Sequence, residues 1–392
     1  MNRRRLLTSL AAPFAAPFAA PFLKAAPQLT IESYEIFRIK VNHRGGWVLL
    51  RVKASNGLTG LGDASHGAGD QNVINLIAEF FAKAKGRSPF DVELYRRDLI
   101  ATAEAKGRNG SVAFSAIEQA MWDLQGKAVG LPCWALFGGK LHPTIRNYAN
   151  INRATVDRNP EGFAKLAEPA VRDGFTAIKM ASFDGLPKTE PGRREGTDRG
   201  IACVEAVRKV LGPSGDLLVD GHSNFTVAEG LEVARRLEPS QLFWFEEICR
   251  GIPGLAELNE KIAMPTAGGE SIFGTKNFYP YVKGNAVDIT MPDVKYCGGM
   301  LELRKIGALS EAAGLPVAPH GPASPVCNMA QAQVCAAMPN FLILELGYGE
   351  VPWRGDLVHP PEVFEKGGLL RVPDRPGLGI ELNEKVAAEH AL

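Results

Sequence analysis

The sequence lacks the features that would direct it to nucleic acid, a zinc ribbon or a disulfide-bonded fold. Its 392 residues include 44 basic and 43 acidic side chains, without a long run of either sign. This balance argues against nucleic acid or an anionic membrane surface as a partner. The six cysteines form no C-x-x-C pair, which argues against a zinc ribbon or a thioredoxin-type site. We therefore interpret them as small buried hydrophobic side chains.

The first residues have the composition of an export signal. Arg3, Arg4 and Arg5 precede an apolar, small-residue stretch over 6–23 that repeats Ala-Ala-Pro-Phe. Adjacent arginines before an apolar run favour the twin-arginine route and a periplasmic mature protein. The alternative is a low-complexity leader or a misassigned start, which would leave the protein in the cytoplasm. We assign 1–27 to the leader and expect no membrane partner for the mature form, because no later segment is long and apolar enough to span one.

The region after the leader has the pattern of a small α+β domain. Alternating apolar residues over 29–42 and 47–55 predict two strands, and a short third strand follows. From about 73 to 129 the apolar period becomes helical. Strands followed by helices predict an α+β domain, which we place at 28–140 as a capping domain.

The next region predicts a barrel. Short apolar runs alternate with amphipathic helical stretches, as in repeated βα units. Eight units predict a (β/α)8-type, TIM-like barrel over 141–346, with a (β/α)7β form if the last helix is missing. The predicted strands are 145–150, 177–180, 217–220, 242–245, 266–268, 288–290, 317–319 and 341–344. A Pro/Gly-rich tail over 347–392 is expected to pack on the capping domain. The predicted fold class is therefore α/β, a barrel with an α+β cap.

Acidic residues follow three successive predicted strands. Asp220 ends the third strand, Glu246 follows the fourth and Glu270 follows the fifth. Since the carboxyl ends of barrel strands converge on one mouth, these carboxylates are expected to lie together. They would repel each other without a cation between them, and hard oxygen ligands select Mg²⁺ or Mn²⁺. The competing interpretation is that they are helix caps or solvated loop residues.

The other strand ends carry residues suited to proton transfer. Asp293 follows the sixth strand and His320 the seventh, and an Asp beside a His makes a general base. The alternative for His320 is a hydrogen-bonded structural histidine. Lys179 lies on the second strand, and Glu345 ends the eighth, where it could hydrogen-bond substrate. His222 lies two residues past the first of the three acids, which places both on one side of an extended segment.

The order of these residues resembles the enolase superfamily, in its mandelate racemase/muconate lactonizing enzyme branch. The residues in order are Lys179, Asp220, Glu246, Glu270, Asp293, His320 and Glu345. Segment 120–139, which begins Ala-Met-Trp-Asp-Leu and ends Ala-Leu-Phe-Gly-Gly, is similar to that branch's junction between cap and barrel. Further matches are Pro292-Asp293, Gly298-Gly299 and Ala318-Pro319-His320. The resemblance covers nearly all of the chain after the leader.

The resemblance implies roles for these residues. The three strand-end acids, Asp220, Glu246 and Glu270, are implied as metal ligands. Asp293 and His320 are implied as the base dyad. Capping loops near 43–47 and 63–70 are implied to close the mouth and select the substrate, with Trp47 and His66 as candidate contacts. The alternatives are a packed aromatic side chain for Trp47 and a surface histidine for His66.

Two departures from the branch narrow the expected activity. The branch often has Lys-x-Lys on the second strand, but here the sequence is Lys179-Met180-Ala181, so the second base is absent. Glu246-Glu247-Ile248 stands where Glu-Glu-Pro is usual, which affects loop geometry. The first departure argues against a two-base racemase. His222 instead resembles the histidine that protonates the leaving hydroxyl in the galactonate-dehydratase group.

We therefore predict a hydro-lyase that acts on a small sugar acid. It would remove the proton α to the carboxylate and eliminate water, giving a 2-keto-3-deoxy acid, with Mg²⁺ as cofactor. A racemase or epimerase of a 2-substituted carboxylate is the nearest alternative, and a non-catalytic sugar-acid-binding relative is another. A homo-oligomer is the expected assembly.

Overall fold

The computed structural model describes residues 29–66 and 70–392. The predicted leader 1–27 lies outside the described residues, as do residues 67–69 of the predicted capping loop 63–70. In the part of the chain that is described, no helix has both the length and the apolar character needed to cross a membrane.

The first described region is a three-stranded antiparallel sheet with helices packed on one face. Its elements are β1 (Ile31–Asn42), β2 (Gly45–Ala54), β3 (Thr59–Asp63), α1 (Asp70–Ala84), α2 (Val92–Ala105), α3 (Gly107–Val129) and α4 (Cys133–Leu136). Helix α3 lies directly on β3. A Cβ added at Gly62 would approach the carbonyl oxygen of Ala116 to 2.0 Å, so only glycine allows this close contact. We refer to this region as the cap.

The second region is a ring of parallel strands with helices outside it. Its elements are β4 (Thr144–Asn150), α5 (Pro160–Arg172), β5 (Ala177–Met180), α6 (Gly192–Leu211), β6 (Asp216–Asp220), α7 (Val227–Leu237), β7 (Leu242–Glu246), α8 (Ile252–Lys261), β8 (Thr266–Gly268), α9 (Gly274–Lys283), β9 (Ile289–Thr290), α10 (Met300–Ala312), α11 (Pro325–Cys335) and β10 (Leu344–Gly347). Buried side chains including Tyr148, Leu218 and Trp244 fill the interior of the ring.

The ring of strands closes through one position, at Val317, that pairs by single bridges only. Strands β4 to β9 pair in sequence order, and β10 pairs with β4. Between β9 and β10 the connection is made by single bridges from Thr290 to Val317 and from Val317 to Phe341. Seven strand positions precede a helix and β10 precedes none, because no α-helix occurs in residues 348–383. The structure therefore confirms the predicted barrel in its (β/α)7β form.

The tail contacts both the barrel and the cap. It contains β11 (Val358–His359), β12 (Phe364–Glu365), β13 (Leu369–Arg371), β14 (Glu381–Leu382) and α12 (Glu384–Glu389). Strand β13 pairs antiparallel with β4 at the start of the barrel. The last residues run beside β1, where the amide of Leu392 donates to the carbonyl of Arg38 at 2.9 Å.

A buried carboxylate joins the cap to the barrel. Glu118 in α3 accepts hydrogen bonds from the amides of Met300 (2.7 Å) and Leu301 (3.0 Å) at the first turn of α10. A helix N-terminus presents unpaired amides and a positive dipole end, so a carboxylate there is stabilising. The contact fixes α3 against the barrel and therefore fixes the cap residues that face the barrel mouth.

Candidate active site

Three carboxylates converge at the mouth of the barrel. Asp220 ends β6, Glu246 ends β7, and Glu270 lies two residues past β8. Each offers one oxygen atom, and these three atoms lie within 4.8 Å of one another. The parallel register brings Asp220 and Glu246 side by side. The structure thus places together the three acids that the sequence singled out.

The surroundings of these acids fit a divalent cation. Burial and the charge of Asp220 raise the pKa of Glu246 to about 8, although Lys179 opposes the shift. Oε2 of Glu270 is buried and makes no hydrogen bond of acceptable geometry. Three converging hard oxygen donors, one of them without a hydrogen bond, suit Mg²⁺ or Mn²⁺.

Lys179 lies under the acids as a buried counter-charge. It is 1% exposed, and its Nζ lies 2.6 Å from Oε1 of Glu246, 3.1 Å from Oε1 of Glu345 and 3.8 Å from Oδ2 of Asp220. Burial lowers the pKa of Lys179, but Glu246 and then Glu345 raise it by more, so the net shift is well above its ordinary value. The ammonium group therefore stays charged.

Glu345 is part of the same network, at a different place in its strand from the one predicted. It is the second residue of β10, which runs from Leu344 to Gly347, so it does not end the strand. The predicted strand 341–344 stopped too early because polar Glu345 was taken as its end. Its Oε1 accepts from Nδ2 of Asn150 at 2.6 Å, and its Oε2 accepts from the amide of Gly321 at 2.8 Å. These bonds hold the carboxylate inside the barrel.

His320 and Asp293 form a close pair. Nδ1 of His320 lies 2.7 Å from Oδ2 of Asp293, and Nε2 lies 3.0 Å from Oε2 of Glu270. Lys295 contacts the same Asp293 oxygen at 3.0 Å. Burial raises the pKa of Asp293, but Lys295 and the His320 hydrogen bond lower it by more, so Asp293 remains ionised. The imidazole is therefore held by Nδ1 and presents Nε2 to the cavity.

His222 reaches the cavity by a route that the sequence pattern did not indicate. Strand β6 ends at Asp220, and His222 has a φ of +44°, so the extended segment expected from the two-residue spacing is wrong. The His222 amide donates to Oδ1 of Asp220 at 2.8 Å, which closes a tight turn. Nε2 of His222 lies 3.0 Å from Oδ2 of Asp220, and Nδ1 bonds to Oδ1 of Asp184. The charge of Asp220 raises the pKa of His222 to about 12.

These side chains enclose a cavity of about 170 Å³ that the cap helps to close. From the barrel, Lys179, Asp220, His222, Glu270 and His320 line it. From the cap, Arg44, Trp47, His66 and Arg108 line it. Both candidate capping contacts, Trp47 and His66, therefore face the cavity. Burial lowers the pKa of His66 to about 4, helped by Arg108 and Lys295, so this histidine is neutral.

Some polar residues in or beside the cavity were not found from the sequence. Asp184 follows β5 by four residues, and Asn150 ends β4. Lys295 lies two residues past Asp293 and is 3% exposed. Asn150 carries the same signal as the acids, a polar residue at a strand end, and could have been found. Asp184 carries no such signal because it lies within a loop.

Sequence families match both regions. Residues 162–386 match the family described as enolase C-terminal domain-like. Residues 34–138 match the N-terminal domain of mandelate racemase and muconate lactonizing enzyme. Together these two matches cover most of the cap and all of the barrel except its first strand and the start of α5.

Individual relatives agree with the family match. The chain is 32% identical to the D-xylonate dehydratase of Haloferax volcanii, over 88% of this chain and 85% of the relative. It is 29% identical to the D-gluconate dehydratase of Thermoproteus tenax, over 88% of this chain and 69% of that protein. The solved structure of a mandelate racemase/muconate lactonizing enzyme from Jannaschia sp. CCS1 has a TM-score of 0.81 and 31% identity, covering 93% of this chain and 98% of that one.

Proposed function

The chain belongs to the mandelate racemase/muconate lactonizing enzyme family of the enolase superfamily, and we propose that it dehydrates a sugar acid to a 2-keto-3-deoxy acid. The observation that carries this proposal is the pair of histidines. His320 and His222 line one cavity, and each places Nε2 3.0 Å from a carboxylate of the acidic cluster, at Glu270 and Asp220 respectively. Elimination of water requires one proton acceptor and one proton donor, and two positioned imidazoles supply both.

His320 is the proposed base. Nε2 is the ring nitrogen that faces the cavity, and it would take the proton α to the substrate carboxylate. Asp293 holds Nδ1 and stabilises the imidazolium that forms. A base must start neutral. Burial lowers the pKa of His320, but the charges of Glu270 and Glu345 and the hydrogen bond to Asp293 raise it by more. Glu270 belongs to the acidic cluster, so a cation bound there would offset part of that charge.

His222 is the proposed acid. It would donate the proton on Nε2 to the 3-hydroxyl group, which leaves as water. One acid or base group of this kind contributes roughly 10²–10⁴-fold to the rate. Donor and acceptor approach the substrate from different strands, since His222 follows β6 and His320 follows the seventh strand position. Removal of the α proton and protonation of the hydroxyl group are therefore carried out by different residues.

The negative charge that forms on proton removal needs stabilisation. Asp220, Glu246 and Glu270 would hold a divalent cation, with Mg²⁺ our choice and Mn²⁺ the alternative. When bound, such a cation stabilises negative charge on the substrate carboxylate. Lys179 adds a permanently charged ammonium group below the same position. The site is thus built to favour the transition state, in which a second negative charge develops, over the singly charged substrate carboxylate.

The test is an assay of the purified protein with Mg²⁺ against D-xylonate, D-gluconate and D-galactonate, followed by detection of 2-keto acid. We expect keto product with at least one of them or with a related sugar acid. His320→Asn should abolish it, whereas His359→Asn, a matched change at an exposed histidine in β11, should not. If the reaction in D₂O places deuterium at the α carbon without forming keto acid, the function is racemisation or epimerisation and not dehydration. Cation binding without α-proton exchange across a broad acid panel would indicate a non-catalytic binder.

A further inference from the structure

Asp184 is a partly buried carboxylate that lies beside the cavity. It lies in the loop between β5 and α6, and its side chain is 15% exposed. One of its partners, His222, is 38 residues further along the chain. A contact of this separation is made by the fold and not by local sequence.

The two oxygens of Asp184 have different partners. Oδ1 accepts from Nδ1 of His222. Oδ2 faces Nη2 of Arg158 at 3.1 Å, Nδ2 of Asn152 at 3.4 Å and Nη2 of Arg44 at 3.5 Å. The arginines and the amide therefore fix the carboxylate from one side and leave its other oxygen for the imidazole.

This arrangement decides which nitrogen of His222 faces the reaction. Within the described chain, Asp184 is the one hydrogen-bond partner of Nδ1. That nitrogen therefore carries a proton and points away from the acidic cluster of Asp220, Glu246 and Glu270. Nε2 then points toward Asp220. The same geometry occurs at His320, where Asp293 holds Nδ1 and Nε2 faces Glu270. The site contains two Asp–His pairs on opposite parts of the barrel mouth.

We propose that Asp184 is a positioning residue for proton donation, because it fixes the ring of His222 so that Nε2 delivers the proton to the leaving hydroxyl. This inference rests on the proposed dehydration. Asp184 does not touch substrate in this account. It acts through His222, in the same way that Asp293 acts through His320.

A purely structural role for Asp184 is the competing explanation. The carboxylate could serve only to neutralise Arg158 and Arg44. Arg158 has other partners, since its Nη2 also donates to Oδ1 of Asn152 at 2.8 Å and to the carbonyl of Ala181. It therefore remains bonded in Asp184→Asn. Nδ1 of His222 loses its charged acceptor, because the amide has a single oxygen, which the two arginines favour, and its NH₂ group then faces Nδ1. A positioning role predicts that Asp184→Asn slows loss of the hydroxyl group but not removal of the α proton. A structural role predicts that it slows both steps equally.

The experiment measures the two halves separately in Asp184→Asn. In D₂O, proton NMR follows total loss of the α-proton signal, which counts both exchanged acid and keto product, on whichever of D-xylonate, D-gluconate and D-galactonate the wild type dehydrates fastest. We expect keto formation to fall about 10²-fold while α-proton removal stays within about threefold. Asp184→Glu should recover part of the keto formation. Asp198→Asn, at an exposed aspartate paired with Arg236, is the matched control and should change neither rate.

Equal loss of both rates in Asp184→Asn would overturn the proposal in favour of a structural role. Unchanged keto acid formation would overturn it as well, because Asp184 would then have no part in proton donation. If the wild type forms no keto acid, dehydration itself fails, and the positioning claim is then tested on the ring. Protein labelled with ¹⁵N-histidine reports the protonation of each ring nitrogen, with His222 assigned through His222→Asn. A protonated Nδ1 that changes in Asp184→Asn supports the positioning claim. An unchanged ring, or an unprotonated Nδ1 in the wild type, overturns it.

Discussion

Replacing Lys179 by methionine should destabilise the protein without bound cation by about 3 kcal/mol at pH 7, because it leaves buried carboxylates without their counter-charge. Methionine fills nearly the same space, so the change tests charge and not packing. Glu246, with a pKa of about 8, already holds a proton at pH 7. The remaining network would therefore take up its next proton at Glu345, whose Oε1 lies 3.1 Å from the Lys179 nitrogen. The ordinary pKa of glutamate is 4.5. At 1.36 kcal/mol per pH unit, keeping one such carboxyl protonated at pH 7 costs about 3.4 kcal/mol.

The pH dependence of this loss has a definite sign. A buried carboxyl whose pKa is raised binds its proton more tightly in the folded state than in the unfolded state. Stability is then greatest below pH 4.5 and falls as the pH rises toward the pKa of the folded state. The difference between Lys179→Met and wild type should therefore grow from pH 5 to pH 8, at most by about 1.4 kcal/mol per unit.

The assay is thermal and urea unfolding in EDTA at several pH values. A loss of about 3 kcal/mol should lower the midpoint by on the order of 5 °C for a chain of this size. Lys261→Met is the matched control, because Lys261 is exposed and pairs with Glu257 on the surface of α8, and it should leave the midpoint unchanged. A loss below about 1 kcal/mol at pH 8, or one that does not grow with pH, would refute the reasoning.

Two further perturbations test the joint between cap and barrel and the cation site. Gly299→Ala should destabilise the protein by roughly 3 kcal/mol or more, because its Cβ would lie 2.0 Å from Oε2 of Glu118 and Gly299 has a φ of +93°. Calorimetry would check this, and an unchanged midpoint would contradict it. Removing divalent cations with EDTA should abolish turnover and lower the thermal midpoint, and Mg²⁺ at about 100 times its Kd should return about 2.7 kcal/mol. Full activity after exhaustive chelation would exclude a cation requirement.

The barrel was predictable from the sequence because its strands are buried on both faces. Such strands appear as short apolar runs, and the polar residue that ends the run marks the barrel mouth. This reasoning located Asp220 and Glu246 at strand ends and Glu270 just beyond one. It failed at the seventh strand, where the structure retains only a bridge at Val317. A short apolar segment has the same pattern whether or not it pairs along its length, so the sequence predicted a strand where the structure has a single bridge.

The details of proton transfer were less predictable, for a physical reason. The two-residue period that placed His222 with Asp220 holds only inside a strand, and the backbone turns immediately after Asp220. His222 nevertheless reaches the cavity, because the turn redirects it. Its partner Asp184 comes from another loop, so the contact depends on how two βα units pack. Periodicity describes one element at a time and carries no information on such contacts.

The most direct test follows the α proton and the hydroxyl group together in His222→Asn and His320→Asn. Proton NMR in D₂O reports both, with a sugar acid that the wild type dehydrates as the substrate. We expect His320→Asn to lose both α-proton removal and keto acid formation, and His222→Asn to keep α-proton removal while losing the keto acid. Full keto acid formation in His222→Asn, or continued α-proton removal in His320→Asn, would contradict the assignment of donor and acceptor.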